Sequence, residues 1–147
     1  ELSTLVRESL SKHELTIKHR KLIIKLELED VIAFVDARQI VTVFENLISN
    51  AIKHSPKEGC IQIWLQKKKG AKVGFIIKDN GIGVCDSQKD SIFKAFFIGK
   101  NVETSTLKGT GLGLSIAKQY VNNHQGEIKL LNCRSGAVFQ VTLPIHS

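Results

Sequence analysis

The sequence predicts an α+β fold, a two-layer α/β sandwich in which helices cover one face of a mixed, mostly antiparallel sheet. Segments with helical apolar spacing and segments with period-two alternation follow one another along the chain. The alternating segments are short and several are joined by turn residues, as in hairpins. No repeat, low-complexity stretch or linker interrupts the 147 residues, so we expect one domain over residues 1–147.

The pattern predicts three helices and five strands, each from its own run of apolar residues. In chain order they are a helix at 2–17, a strand at 22–28, a helix at 39–56, strands at 61–65 and 73–77, a helix at 113–124, and strands at 126–131 and 137–143. The lysine run 67–69, which ends at Gly70, is expected to solvate the turn of the first hairpin. A second turn is expected at 134–136.

Composition excludes some classes of protein. A hydrophobic content of 42% with 24% charged residues is ordinary for a globular domain, and no apolar run approaches the roughly 18 residues of a membrane span. The start at Glu1 lacks the layout of a signal peptide, so we expect an internal fragment of a longer chain, with any membrane anchor elsewhere. Cys60, Cys85 and Cys133 are odd in number and widely spaced, which predicts free thiols and a cytoplasmic location.

The segment 39–56 carries an apolar stripe at helical spacing. The stripe consists of Ile40, Val43, Phe44, Leu47, Ile48 and Ala51. On an adjoining face lie Asn46, Asn50, Lys53 and His54, and of these Asn50 and His54 lie next to the apolar edge. Taken alone, the amide of Asn50 is explained by a hydrogen bond to neighbouring backbone as well as by a ligand.

Two further segments combine apolar structure with glycines. The strand-like run before Asp79 leads directly into Gly81 and Gly83, which places a carboxylate at the end of a strand. This pattern fits an ordinary turn, and it also fits a carboxylate that accepts a hydrogen bond from the amine of a base. The glycines at 109, 111 and 113 precede a helix, where backbone N–H groups and the helix dipole favour phosphate. The segment is neither a Walker A nor a Rossmann motif.

In this order the segments resemble the boxes of histidine kinase catalytic domains, members of the GHKL superfamily that includes gyrase, Hsp90 and MutL. The segment NLISNAIKHSP is similar to the N box, DNGIGV to the G1 box, SIFKAFF to the F box and GTGLGLSIAK to the G2 box. The resemblance covers nearly the whole chain and implies the Bergerat-type ATP-binding fold. It departs from the family at Ile98, where an arginine is common, and at Gln125, where HGG is common.

The resemblance implies ATP and Mg²⁺ as cofactors. Asn50 would bind the metal, Asp79 would read the adenine amine, and Asn46 and Lys53 would act in catalysis. The implied nucleotide contacts are Asn50, Lys53, His54, Asp79, Gly81, Gly83, Lys108, Gly109, Thr110, Gly111, Leu112 and Gly113. Residues from about 85 to 108 would form an ATP lid, which Phe93 and Phe96 would anchor by packing.

The implied function is transfer of the ATP γ-phosphate to a histidine in a helical phosphoacceptor domain of the same or a sister chain, and indirectly to a response regulator. Hydrolysing relatives carry a glutamate where this chain has Asn46, and an amide cannot take a proton from water. His13 is not predicted to be the phosphoacceptor, because the motif around it does not continue.

Two alternatives remain open. One is a nucleotide-binding module of the same fold without transferase activity, which Ile98 favours. The other is a nucleic-acid-binding protein, which only the net charge of +7 favours. We rank the catalytic domain first, expect no nucleic acid partner, and expect the fragment to be monomeric.

Overall fold

The computed structural model describes residues 1–81, 93, 113–132 and 136–145. Within these residues the chain forms four helices and five strands. In chain order they are α1 (Leu2–Ser11), α2 (Glu14–His19), β1 (Ile23–Leu28), α3 (Ala37–His54), β2 (Cys60–Lys68), β3 (Lys72–Lys78), α4 (Gly113–Asn123), β4 (Glu127–Asn132) and β5 (Val138–Pro144).

The five described strands form one sheet in the order β1-β2-β3-β5-β4. Only the β1–β2 pair is parallel, and the other three pairs are antiparallel. One row of paired residues crosses most of the sheet and is buried on the helical side. It consists of Ile63, Ile77, Phe139 and Leu130. The predicted α+β sandwich with a mostly antiparallel sheet is therefore confirmed.

Helix α3 lies at the centre of the helical layer. Its first turn is capped by Asp36, whose Oδ1 accepts a hydrogen bond from the Gln39 N–H at 3.2 Å. All six residues of the predicted apolar stripe are at most 2% exposed. Phe44 stacks on Phe75 of β3 with ring centroids 4.4 Å apart, which fixes α3 on the sheet. The prediction for this helix is confirmed.

The predicted first helix is wrong in one respect, because the chain forms two helices and not one over residues 2–17. The break falls at His13, whose N–H donates to the Leu10 carbonyl at 3.0 Å, so that α1 ends in a turn. Helix α1 packs on α3 through buried Leu2 and Val6, whereas α2 contributes no buried residue. Apolar periodicity does not detect such a break, since the residues around it are polar in either arrangement.

The turn before β4 contains one departure from the family pattern, at Gln125. Gln125 has a φ of 55°, in the left-handed region where a residue with a Cβ is strained. The preceding His124 joins two helices, since its Nε2 accepts from the Asp36 N–H at 3.0 Å. Its Nδ1 therefore carries the proton, which it donates to the Tyr120 carbonyl at 2.8 Å.

In the part of the chain that the structure describes, no helix combines the length and the apolar character needed to cross a bilayer. Cys60 is a free, half-buried thiol, as predicted. Cys85 and Cys133 lie outside the described residues.

Candidate functional site

Asp79 follows directly after β3 and is buried, with 2% of its surface exposed. Its backbone N–H donates to the Ala137 carbonyl at 3.1 Å, which continues the β3–β5 pairing past the strand end. The side-chain Oδ1 accepts from the N–H of Gly81 at 3.0 Å and from the N–H of Ala137 at 3.2 Å. Among the described residues, both N–H groups that donate to this carboxylate bond to Oδ1, which leaves Oδ2 available to a further donor.

Burial dominates the electrostatics of this carboxyl. Desolvation raises the pKa of Asp79 above its ordinary value, and the backbone N–H groups of Gly81 and Ala137 lower it to a smaller extent. A buried carboxylate with two donors on one oxygen is incompletely solvated on the other. An external hydrogen-bond donor at Oδ2 would therefore stabilise the ionised form.

Gly81 brings the loop after β3 into contact with the end of α3. A Cβ atom at this position would lie 1.9 Å from the carbonyl oxygen of His54, so only glycine permits the approach. Burial lowers the pKa of the adjacent His54, and the charge of Lys53 lowers it further. Burial also lowers the pKa of Lys53. The two basic side chains at this end of α3 are thus partly desolvated.

Asn46, near the middle of α3, connects this helix to the start of α4. Its Nδ2 donates to the carbonyl of Gly113, the first residue of α4, at 3.0 Å. Asn50 is half-buried and lies one turn from each contact, between Asn46 and His54. At about 1.5 Å per residue, the side of α3 from Asn46 to His54 is roughly 12 Å long. The structure therefore brings the described residues of three predicted motifs to one side of a single helix.

Several predicted site residues cannot be placed in this way. The residues outside the described part of the chain are Gly83, Lys108, Gly109, Thr110, Gly111 and Leu112. The predicted lid at about 85–108 also lies outside it, apart from Phe93. Phe93 packs edge-on against Phe139 with centroids 6.1 Å apart, and the Lys118 ammonium lies 5.4 Å from its ring centroid. Phe93 thus packs on the body of the domain.

Sequence reasoning missed three residues that shape this region. Ala137 donates to Asp79, and Gly136 packs against the Asp79 carbonyl, which a Cβ at Gly136 would approach to 2.1 Å. The sequence indicated only that Gly136 belonged to a turn. Arg20 bonds to the end of α3, and nothing in its sequence neighbourhood distinguishes it from a surface arginine.

Comparison with known proteins agrees with the observed fold. The chain is similar to the sensor-like histidine kinase SenX3 of Mycobacterium tuberculosis, with 29% identity over 146 residues, or 98% of this chain. It spans 35% of the length of that relative. The solved catalytic domain of histidine kinase ThkA superposes with a TM-score of 0.87 at 29% identity, and the match covers 99% of this chain and 95% of that chain.

A second ThkA structure, of the kinase in complex with the response regulator TrrA, superposes with a TM-score of 0.80 at 27% identity. This match covers 99% of our chain and 40% of that one. Residues 35–147 match the family described as histidine kinase-, DNA gyrase B-, and HSP90-like ATPases. Since the match extends over most of the sequence, the chain belongs to this ATPase family, as its motifs predicted.

Proposed function

We propose that this chain binds ATP with Mg²⁺ and transfers the γ-phosphoryl group to a histidine of a separate helical domain, as the catalytic domain of a sensor histidine kinase. The observation that carries the proposal is the convergence on α3. The loop after β3 contacts the helix at His54, and the glycine start of α4 contacts it at Asn46. One ligand lying along this side of α3 would meet a carboxylate at one end and a helix N-terminus at the other.

The adenine end of the site is formed by Asp79. Its Oδ2, to which none of the described residues donates, would accept a hydrogen bond from the exocyclic amine. Gly81 and Gly83 would form the adjoining wall, where the absence of side chains lets a flat ring approach the backbone. Lys53 and His54 would lie near the ribose and phosphates.

The phosphate end is formed by the start of α4. Backbone N–H groups and the positive end of the helix dipole favour an anion there, and we assign the contacts to Lys108, Gly109, Thr110, Gly111, Leu112 and Gly113. The side-chain oxygen of Asn50 is a hard ligand, and Mg²⁺ commonly takes few protein ligands and completes its shell with phosphate and water. When bound, the ion would neutralise charge on the terminal phosphates.

Transfer to a side chain, and not to water, follows from Asn46. An amide cannot act as general base, and its Nδ2 is hydrogen-bonded to Gly113. The chain would thus position ATP for in-line attack by an imidazole nitrogen of the phosphoacceptor domain. The names of SenX3 and ThkA as histidine kinases, and the ThkA complex with a response regulator, support a phosphoacceptor domain and a response regulator as partners. We further propose that this chain is cytoplasmic and monomeric and that it binds no nucleic acid.

Asn50→Ala is expected to weaken ATP binding about 10- to 100-fold when Mg²⁺ is present and to leave it unchanged without the metal. The reason is that only the metal-dependent part of the binding free energy passes through the Asn50 oxygen. Titration calorimetry with ATP, in Mg²⁺ and in EDTA, measures both. Thr42→Ala, about two turns before Asn50 on the same helix, is the control, since it removes only an exposed hydrogen bond to the Arg38 carbonyl. Equal losses with and without Mg²⁺ would rule out Asn50 as the ligand.

Phosphotransfer is tested with ATP labelled at the γ position, this chain, and the helical phosphoacceptor domain of its parent protein. We expect acid-labile label on a histidine of the acceptor and only background release of free phosphate when the acceptor is omitted. ATP binding without transfer to any acceptor would instead identify a nucleotide-binding module. Absence of ATP binding would contradict both.

A further inference from the structure

Arg20 lies between α2 and β1, outside every motif discussed above, and its guanidinium reaches the far end of α3. Nη1 donates to the carbonyl of Ile52, and Nη2 donates to the carbonyl of Ser55. The side chain is half-buried. A planar guanidinium can hold two carbonyls at once in a way that no other side chain reproduces.

The end of α3 needs such a partner. The last four carbonyls of a helix lack intrahelical donors, and here the Ser55 N–H closes the final turn on the Ala51 carbonyl at 3.0 Å. Arg20 supplies the donor for Ile52 and places a positive charge at the negative end of the helix dipole. The backbone adds a further link, since the Glu58 N–H donates to the Arg20 carbonyl at 2.9 Å.

The same turn is held from another side by the loop after β3. Gly81 packs against the His54 carbonyl so closely that no Cβ would fit. Lys53 and His54 therefore lie in a turn that is contacted at three carbonyls. Arg20 bonds to the carbonyls of Ile52 and Ser55, and Gly81 packs against that of His54. Any movement of this turn would displace the surface against which Gly81 packs.

We infer that Arg20 is a positioning residue for nucleotide binding, which holds the last turn of α3 in the conformation that presents Lys53 and His54 and supports Gly81. This inference rests on the proposed function. When the last turn of α3 has the binding conformation in only a fraction of the molecules, the apparent affinity for nucleotide is reduced to that fraction of its full value. Arg20 would thus affect nucleotide affinity without touching the nucleotide.

The test uses Arg20→Gln and Arg20→Lys, with ATP and ADP affinities measured by calorimetry at a temperature where circular dichroism shows each variant to be folded. We expect Arg20→Gln to weaken ATP and ADP by the same factor, about tenfold, with an unchanged ratio between affinities with and without Mg²⁺. Arg20→Lys is expected to lie between it and the wild type, since an ammonium cannot span both carbonyls with the same geometry.

The matched control is His124→Ala, which removes a hydrogen bond at the opposite end of α3. It is expected to lower the melting temperature but to keep ATP affinity within about twofold of the wild type, because the last turn is untouched. Hydrogen exchange provides a second readout: amides 52–55 should exchange faster in Arg20→Gln and not in His124→Ala.

Three outcomes would overturn the inference. Unchanged affinity in Arg20→Gln, with a lower melting temperature, would mean that Arg20 only stabilises the fold. A loss much larger for ATP than for ADP, and sensitive to salt, would mean that Arg20 contacts the phosphates directly. If the wild type bound no nucleotide, the proposed function would fail, and unchanged exchange at 52–55 would separately refute the effect of Arg20 on the turn.

Discussion

Asp79→Asn is expected to remove most of the ATP affinity while leaving the free chain at least as stable as the wild type. The substituted amide can keep its oxygen toward the N–H groups of Gly81 and Ala137. Its nitrogen then occupies the Oδ2 position, where a donor would face the amine of adenine. Loss of a charge-assisted hydrogen bond and an unpaired donor in a buried site cost about 2 to 4 kcal/mol, or roughly 30- to 1000-fold in affinity.

The expected gain in stability follows from the pKa of Asp79. Because burial raises this pKa in the folded state, the folded chain binds a proton more readily than the unfolded chain. The stability that the group contributes is therefore fully present below its unfolded pKa and is lost as pH rises through the folded value. Thermal melts should show the advantage of Asp79→Asn at pH 8 and a smaller advantage as pH falls toward 4.

Asp30→Asn, at an exposed position before α3, is the matched control and should leave the ATP affinity unchanged. Two results would contradict the assignment of Asp79. Retained ATP affinity in Asp79→Asn would mean that the carboxylate does not read adenine. A large fall in melting temperature at pH 8 would mean that its charge stabilises the fold.

Gly136→Ala is expected to lower the free energy of unfolding by about 3 kcal/mol or more, which is large for a single methyl group. Gly136 has a φ of 95°, and a Cβ there would lie 2.1 Å from the Asp79 carbonyl oxygen. Because that oxygen belongs to backbone, relief of the clash requires the start of β5 to move. The movement would also separate the Ala137 N–H from the Asp79 carboxylate, so ATP affinity should fall as well.

Gly70→Ala separates the cost of a positive φ from the cost of the clash with the Asp79 carbonyl. Gly70 has a φ of 79°, but no heavy atom lies within 4 Å of the position that a Cβ would take, so only the conformational cost of about 1 to 2 kcal/mol applies. Urea unfolding of both variants and the wild type measures the difference. Equal losses would show that strain at positive φ, and not the contact with Asp79, accounts for the effect at Gly136.

The local patterns in the sequence were sufficient for most of the helices and strands. Helix α3 is an example, because the apolar spacing from Ile40 to Ala51 and the cap at Asp36 act within a few residues of one another. The hairpin of β2 and β3 was predicted in the same way, from alternation on both sides of the turn at Gly70. Burial of Val41 and Ile52 was not predicted, since it depends on what packs against the flanks of α3.

The function could be proposed from the sequence because four short segments, taken in order, resemble the boxes of histidine kinase catalytic domains. The residues that support the site could not be predicted from the sequence. Arg20 lies 32 residues before Ile52 in the chain, and Ala137 lies 58 residues after Asp79, so neither contact leaves a local pattern. Such contacts arise only when helix end and strand end meet, because a backbone carbonyl or N–H group can pair with any residue that the fold brings to it.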